Sequence, residues 1–326
     1  MTSLDVLAEG RGEYLKVDPD GFRAWVRDHK DRALTPKLMS EKEAVEKLVA
    51  DGDYLVYECN YLQRGPASLI REVIRQGKKD LWLGAKFTWV SAALLVGAGC
   101  VSKLDVGFFL FGPTVEQAVR EGKVKAYEYS NVVMTNRIMA GAMGLPFLPV
   151  RSFGGTDGFT HSGAKLITDP YTGEPITIVP ALNPDVALIH AHQADVYGNT
   201  RILGTGISHV EAAMASRKVI VSTEEIIETD EIRRDPGRTT IPYYVVDAVV
   251  HSPFGAYPGE VQGRYASDIP HVVEVVASTL RGLIPQYLDK WVYGVASHQE
   301  MLDKLVGAHK LKEIVGRATI KEGYTA

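Results

Sequence analysis

Residues 40–83 read SEKEAVEKLVADGDYLVYECNYLQRGPASLIREVIRQGKKDLWL, and this stretch decides the fold class. Ser40-Glu41-Lys42-Glu43 has the serine-then-glutamate spacing of a capping box. Ala44, Val45, Leu48 and Val49 follow at helical spacing, and Asp51-Gly52-Asp53 ends the predicted helix. Tyr54-Leu55-Val56-Tyr57 is a short apolar run, read as a buried strand. Gly65-Pro66 leads into a second helix over 67–75, with Leu69, Ile70, Val73 and Ile74 as its apolar stripe. Gly77 closes it, and Asp80-Leu81-Trp82-Leu83 reads as the next strand. Helix, strand, helix, strand at this spacing predicts a mostly parallel sheet.

The pattern continues outward. Helices are expected over 91–99, 115–120 and 132–143, the last ended by Gly144. Strands are expected over 103–111, 124–129, 185–192, 218–222 and 245–251, with further helices over 273–280 and 299–305. Residues 153–161 read as a glycine-rich loop and 168–176 as a hairpin turn. The fold class is therefore α/β, an open parallel-rich sheet flanked by helices. Residues 1–35 are polar and form an N-terminal arm, with a short helix around 22–29, packing on its own protein or a partner. Residues 36–326 form the main domain.

Composition narrows the function. The 326-residue chain is 45% hydrophobic and 23% charged, which excludes disorder and coiled coil. A net charge of −4 argues against a nucleic-acid partner. The richest apolar run, over 89–101, is too short for a membrane span and is broken by Ser91, Gly97 and Gly99. The N-terminus lacks the apolar segment of a signal peptide. Two cysteines, Cys59 and Cys100, make no disulfide framework and fit a cytoplasmic location.

In open parallel sheets, ligands sit beyond the carboxyl ends of the strands. The first strand ends in Glu58-Cys59-Asn60. Glu58 is a base, acid or nucleophile if desolvated; otherwise it is a strand-end carboxylate paired with Arg64 or another cation. Cys59 is reactive only if its pKa is lowered, and inert packing otherwise. Asn60 has the donor an oxyanion needs. Arg64, Gly65 and Pro66 follow as cleft-lining candidates. His190 and His192, two apart on one strand face, are a metal pair only with further ligands, and no acidic or cysteine cluster completes a set. With Gln193 they read better as polar lining of a substrate cleft. Gly154 and Gly155 head a loop whose backbone N–H groups can face an anion. The loop lacks the Gly-Lys-Ser/Thr of a phosphate loop, and the chain lacks the dinucleotide fingerprint and the serine nucleophile elbow. The run from Glu224 to Asp235 reads as a solvated helix or an inter-subunit ion-pair network.

Several stretches go further than composition. Arg64-Gly-Pro66, Gly144-Leu-Pro-Phe-Leu-Pro-Val150, Asp185-Val-Ala-Leu-Ile-His-Ala-His-Gln193 and Gly198-Asn-Thr-Arg201 are four of them. Glu224-Glu-Ile-Ile227, Glu231-Ile-Arg-Arg-Asp-Pro236 and Pro253-Phe-Gly-Ala-Tyr-Pro258 are three more. Together they resemble the α subunits of family I coenzyme A transferases, in particular the glutaconate type, over residues 39–311. The resemblance implies the NagB/RpiA-like fold of these enzymes, a coenzyme A thioester as substrate and no tightly bound cofactor. It implies a β-subunit partner, as a heterodimer or a larger assembly such as α2β2 or α4β4. It also implies that the nucleophilic glutamate belongs to the β subunit.

One departure stands out. The family's α pattern has Gly-Gly-Phe where this chain has Glu58-Cys59-Asn60. An ionised Glu58 would repel a dicarboxylate by about 4 kcal/mol at an effective dielectric near 20, which argues against glutaconate. Two alternatives follow. One is a transferase-like hydrolase or decarboxylase of coenzyme A thioesters with Glu58 as acid or base. The other is a non-catalytic acyl-CoA-binding subunit.

Overall fold

The computed structural model describes residues 5–59, 61–86, 90–108 and 112–318. Its strands, in chain order, are β1 Val6–Glu9, β2 Tyr54–Tyr57, β3 Leu81–Ala85, β4 Val101–Val106, β5 Lys125–Glu128 and β6 Phe147–Val150. They continue with β7 Lys165–Thr168, β8 Pro175–Pro180, β9 Val186–Ala194, β10 Thr200–Arg201, β11 Lys218–Ile226 and β12 Ala248–His251. The large sheet runs β12-β11-β9-β2-β3-β4-β5, every neighbour parallel, with β10 antiparallel beside β9. From β2 the chain builds outward through β3, β4 and β5. It then returns to the other side of β2 and builds outward again through β9, β11 and β12. The direction reverses between β2 and β9, so the crevice at their carboxyl ends is the topological switch point.

Local signals set this frame. Ser40 and Glu43 cap each other's backbone at 3.2 and 3.0 Å, opening the helix Glu41–Leu48. Such a cap contributes about 1 kcal/mol. The helix Ala67–Arg75 buries Leu69, Ile70, Val73 and Ile74 against one face of the sheet. Burying each of these side chains stabilises by about 1.5–3 kcal/mol. Gly144, at φ 70°, ends the helix Asn131–Met143 in the left-handed region that favours glycine. Side chains alternate across the sheet. Leu55, Tyr57 and Cys59 join one hydrophobic core with the helix Ala67–Arg75, while Tyr54 and Val56 join a second with the helices Asn131–Met143 and His209–Ala215.

A second sheet, ordered β1-β7-β8-β6 and wholly antiparallel, packs beside the large one. Sequence reading reached only its β7–β8 hairpin. The strand expected over 103–111 spans Val101–Val106, and 109–111 lie outside the described residues. The loop over 153–161 contains one helical turn, Asp157–Thr160. Residues 5–35 pack on their own chain. β1 pairs with β7, and Glu13 accepts from Lys103 at 2.6 Å and Lys125 at 3.1 Å. Lys103 and Lys125 belong to β4 and β5, so the arm ties the small sheet to the edge of the large one. Those donors hold the Glu13 carboxyl well down, at about 2.

Candidate active site

Two polar clusters meet at the switch point, on opposite faces of the sheet. The first grows from β2 and β3. Glu58 follows β2 and Lys86 follows β3, both on the face of Tyr54 and Val56. Lys86 Nζ donates to Glu58 Oε2 at 2.7 Å and to Ser208 Oγ. Ser208 Oγ donates to Glu58 Oε1 at 3.1 Å. Glu58 is 4% exposed and Lys86 3%. A buried carboxylate needs such partners, because leaving it unpaired in the interior costs several kcal/mol.

The cation beside Glu58 is therefore Lys86, not Arg64. This counter-charge also removes the basis of the repulsion expected against a dicarboxylate. Sequence reading missed Lys86 because it ended the second strand at Leu83, which put Lys86 in a loop. Arg64 adopts φ 53°, left-handed for a non-glycine residue, and sends Nη2 to the Thr205 carbonyl at 2.5 Å. It thereby ties the loop after β2 to the loop before the helix His209–Ala215. Its Nε is buried without a partner among the described residues.

The second cluster lies on the other face, along β9 and β11. His190 Nε2 donates to Glu224 Oε1 at 2.7 Å, and His190 Nδ1 pairs with Ser222 Oγ at 2.8 Å. Tyr265 Oη donates to Glu224 Oε1 at 2.7 Å and the Phe254 N–H to Oε2 at 2.8 Å. Burial works to raise the Glu224 carboxyl, but the hydrogen bond from His190 and the other two donors outweigh it and hold the group below its ordinary value. A Cβ on Gly255 would lie 2.5 Å from His190 Cε1, so only glycine fits against this ring. Glu224 is thus a half-buried strand-end residue whose covered carboxylate holds the 253–257 segment. The charged run read from sequence divides here. Its start lies on β11, and only the part from Thr229 is the helix Thr229–Arg234.

His192 uses both ring nitrogens, Nε2 toward the Gln262 carbonyl at 3.0 Å and Nδ1 toward the Leu203 N–H at 3.1 Å. Burial pushes His192 and His209 down to about 4, with Arg64 adding to the effect, so both are neutral at pH 7. Gln193 donates to Glu225 at 3.0 Å. Gly154 packs against Thr177 of β8, and Gly158 against Phe153 and the Glu128 carbonyl of β5. That loop lies by the far edge of the large sheet, three strands from Glu58. Asn60 lies outside the described residues.

Cys59 faces the first core, beside Gly65 and Ala67 at the start of the helix Ala67–Arg75. Pro66 caps that helix, its carbonyl accepting from Ile70 at 3.0 Å. Burial, then the neighbouring Glu58 charge, push the Cys59 thiol up to about 12. At pH 8 only about one thiol in 10⁴ is then ionised. Native protein treated with a disulfide reagent at pH 8 should leave Cys59 unmodified over hours, and full denaturation should expose it at once. Rapid labelling of the folded protein would contradict this assignment.

Residues 38–252 match the family model for coenzyme A transferase. The chain belongs to the coenzyme A transferase family. It is 34% identical to the A subunit of glutaconate CoA-transferase from Acidaminococcus fermentans over 304 residues, covering 84% of this chain and 93% of that one. It is 36% identical to the A subunit of 3-oxoadipate CoA-transferase from Pseudomonas knackmussii over 244 residues, 71% of this chain and 84% of that one. The crystal structure of the Acidaminococcus fermentans glutaconate CoA-transferase superposes with a TM-score of 0.81 at 32% identity, covering 85% of this chain and 95% of that one. Within this family fold, the switch-point crevice is the candidate active site. No helix among the described residues is long and apolar enough to cross a membrane.

Proposed function

We propose that this chain is the α subunit of a heteromeric coenzyme A transferase that moves CoA between an acyl-CoA and a carboxylic acid. A β subunit supplies the attacking glutamate. Its carboxylate attacks the thioester carbonyl; a C–O bond forms and the C–S bond breaks, giving an anhydride and coenzyme A thiolate. The thiolate then attacks the glutamyl carbonyl of the anhydride, releasing the first acid and leaving a glutamyl thioester. The acceptor acid repeats the two steps in reverse.

One observation carries the reading. Every described candidate nucleophile at the carboxyl edge is already occupied: Glu58 by Lys86 and Ser208, Glu224 by three donors, and Cys59 by its proton. Such an edge offers a wall and needs a nucleophile from outside. The same pairing occupies both oxygens of Glu58, so the geometry does not favour a hydrolase or decarboxylase built on it. Relatives that are themselves named as one subunit of a transferase support a partner chain. Both cysteines are free, which agrees with a cytoplasmic enzyme.

Co-expression with a β subunit tests the proposal. With an acyl-CoA and acetate, acetyl-CoA should accumulate only when acetate is present. Loss of acyl-CoA at the same rate without acetate would sink the transferase reading.

A further inference from the structure

On the Cys59 face of β2 lies a small cleft, open to solvent, with an internal volume of about 40 Å³. It is lined by Tyr57, Cys59, Leu62, Ala67, Val90 and Pro258, among others. It opens at the carboxyl end of the strand that borders the switch point. None of its described lining residues is a Lys, Arg, Asp, Glu or His. The Glu58–Lys86 pair points to the opposite face and does not line it. Its far wall, 256–259, is held in place through Glu224, whose carboxylate takes the Phe254 N–H, and through Tyr265, whose hydroxyl takes the Ala256 N–H at 3.1 Å.

We infer that this cleft receives the acyl chain of the thioester, and that the chain is a short, uncharged aliphatic group. This rests on the transferase reading and names its substrate class. An apolar wall gains free energy with each methylene it removes from water. A terminal carboxylate in the same place would lose its hydration with no cation among the described lining residues to replace it. The inert thiol of Cys59 then serves as apolar surface. Gly65 keeps the mouth open, since its side of the cleft carries no Cβ.

The test uses the complex with its β subunit and the series acetyl-, butyryl-, hexanoyl- and glutaryl-CoA. Both kcat/KM for transfer to acetate and Kd by calorimetry are measured; acetyl-CoA exchange is followed with labelled acetate. Each added methylene should improve both values about threefold to fourfold until the cleft is full. Hexanoyl-CoA should exceed glutaryl-CoA at least tenfold. Ala67→Leu places bulk on one wall and Ser91→Leu on another, both at partly exposed positions. Within each variant the hexanoyl-to-acetyl ratio should fall at least tenfold. A flat series in the native complex, a preference for glutaryl-CoA, or an unchanged ratio in both variants would overturn the inference. A Kd series that tightens with chain length while no acyl-CoA is transferred to acetate would uphold the cleft and overturn the transferase reading instead.

Discussion

Replacing Asp105 with alanine is expected to lower the stability of this chain by about 3–5 kcal/mol, the largest single effect predicted for its core. Asp105 and Arg137 are both 0% exposed. Arg137 Nη1 donates to Asp105 Oδ2 at 2.6 Å. Tyr54 Oη donates to the same oxygen at 2.8 Å, and Trp82 Nε1 to the other at 2.8 Å. The guanidinium lies 4.1 Å from the Tyr129 ring centre and sends Nε to the Pro180 carbonyl at 3.2 Å. Tyr54, Trp82 and Asp105 belong to the large sheet and Pro180 to the small one, so one buried charge pair fastens the two. Without Asp105 the cation stays buried with no counter-charge, and two donors lose their acceptor. Chemical denaturation followed by fluorescence should show the loss. The pair Asp105→Leu with Arg137→Met should recover most of it, because no buried charge is left unpaired. A loss below about 1 kcal/mol for Asp105→Ala would contradict this account.

Lys86→Met should cost about as much, again about 3–5 kcal/mol, by stranding Glu58 with a single hydroxyl partner. Adding Glu58→Gln to Lys86→Met should restore stability, since the amide can still accept from Ser208. The same variants separate structure from catalysis. A general acid or base contributes on the order of 10²–10⁴ in rate. If Glu58 is held as a wall element, Glu58→Gln should change kcat less than about tenfold in the complex with the β subunit. A fall of a thousandfold or more in kcat, with the fold intact by circular dichroism, would return Glu58 to the chemistry.

What could be read from sequence was local. The strand Tyr54–Tyr57 and the helix Ala67–Arg75 were predicted at their observed bounds, because a capping box, an apolar stripe and Gly77 lie within a few residues of what they control. The carboxyl-edge rule placed Glu58 and His190 at the crevice for the same reason. It did not show that the pleat turns them to opposite faces. The partners of these residues are distant in sequence. Lys86 is 28 positions from Glu58, Ser208 is 150, and Glu224 is 34 from His190. No periodicity links such positions. Glu224 carried a further disguise, since its neighbours Glu225 and Glu228 made a half-buried strand end resemble a solvated helix. The small sheet was hidden likewise, because β1 finds β7 across more than 150 residues.

The central claim is that the reacting carboxylate comes from the β subunit while this chain contributes an occupied polar edge and an apolar wall. Borohydride reduction of the complex during turnover, followed by peptide mass spectrometry of both subunits, tests it most directly. The account predicts one glutamate of the β subunit reduced to its alcohol, dependent on acyl-CoA, with Glu58 and Glu224 unmodified. A reduced residue at Glu58, or consumption of acyl-CoA with no trapped carboxylate on either chain, would contradict it.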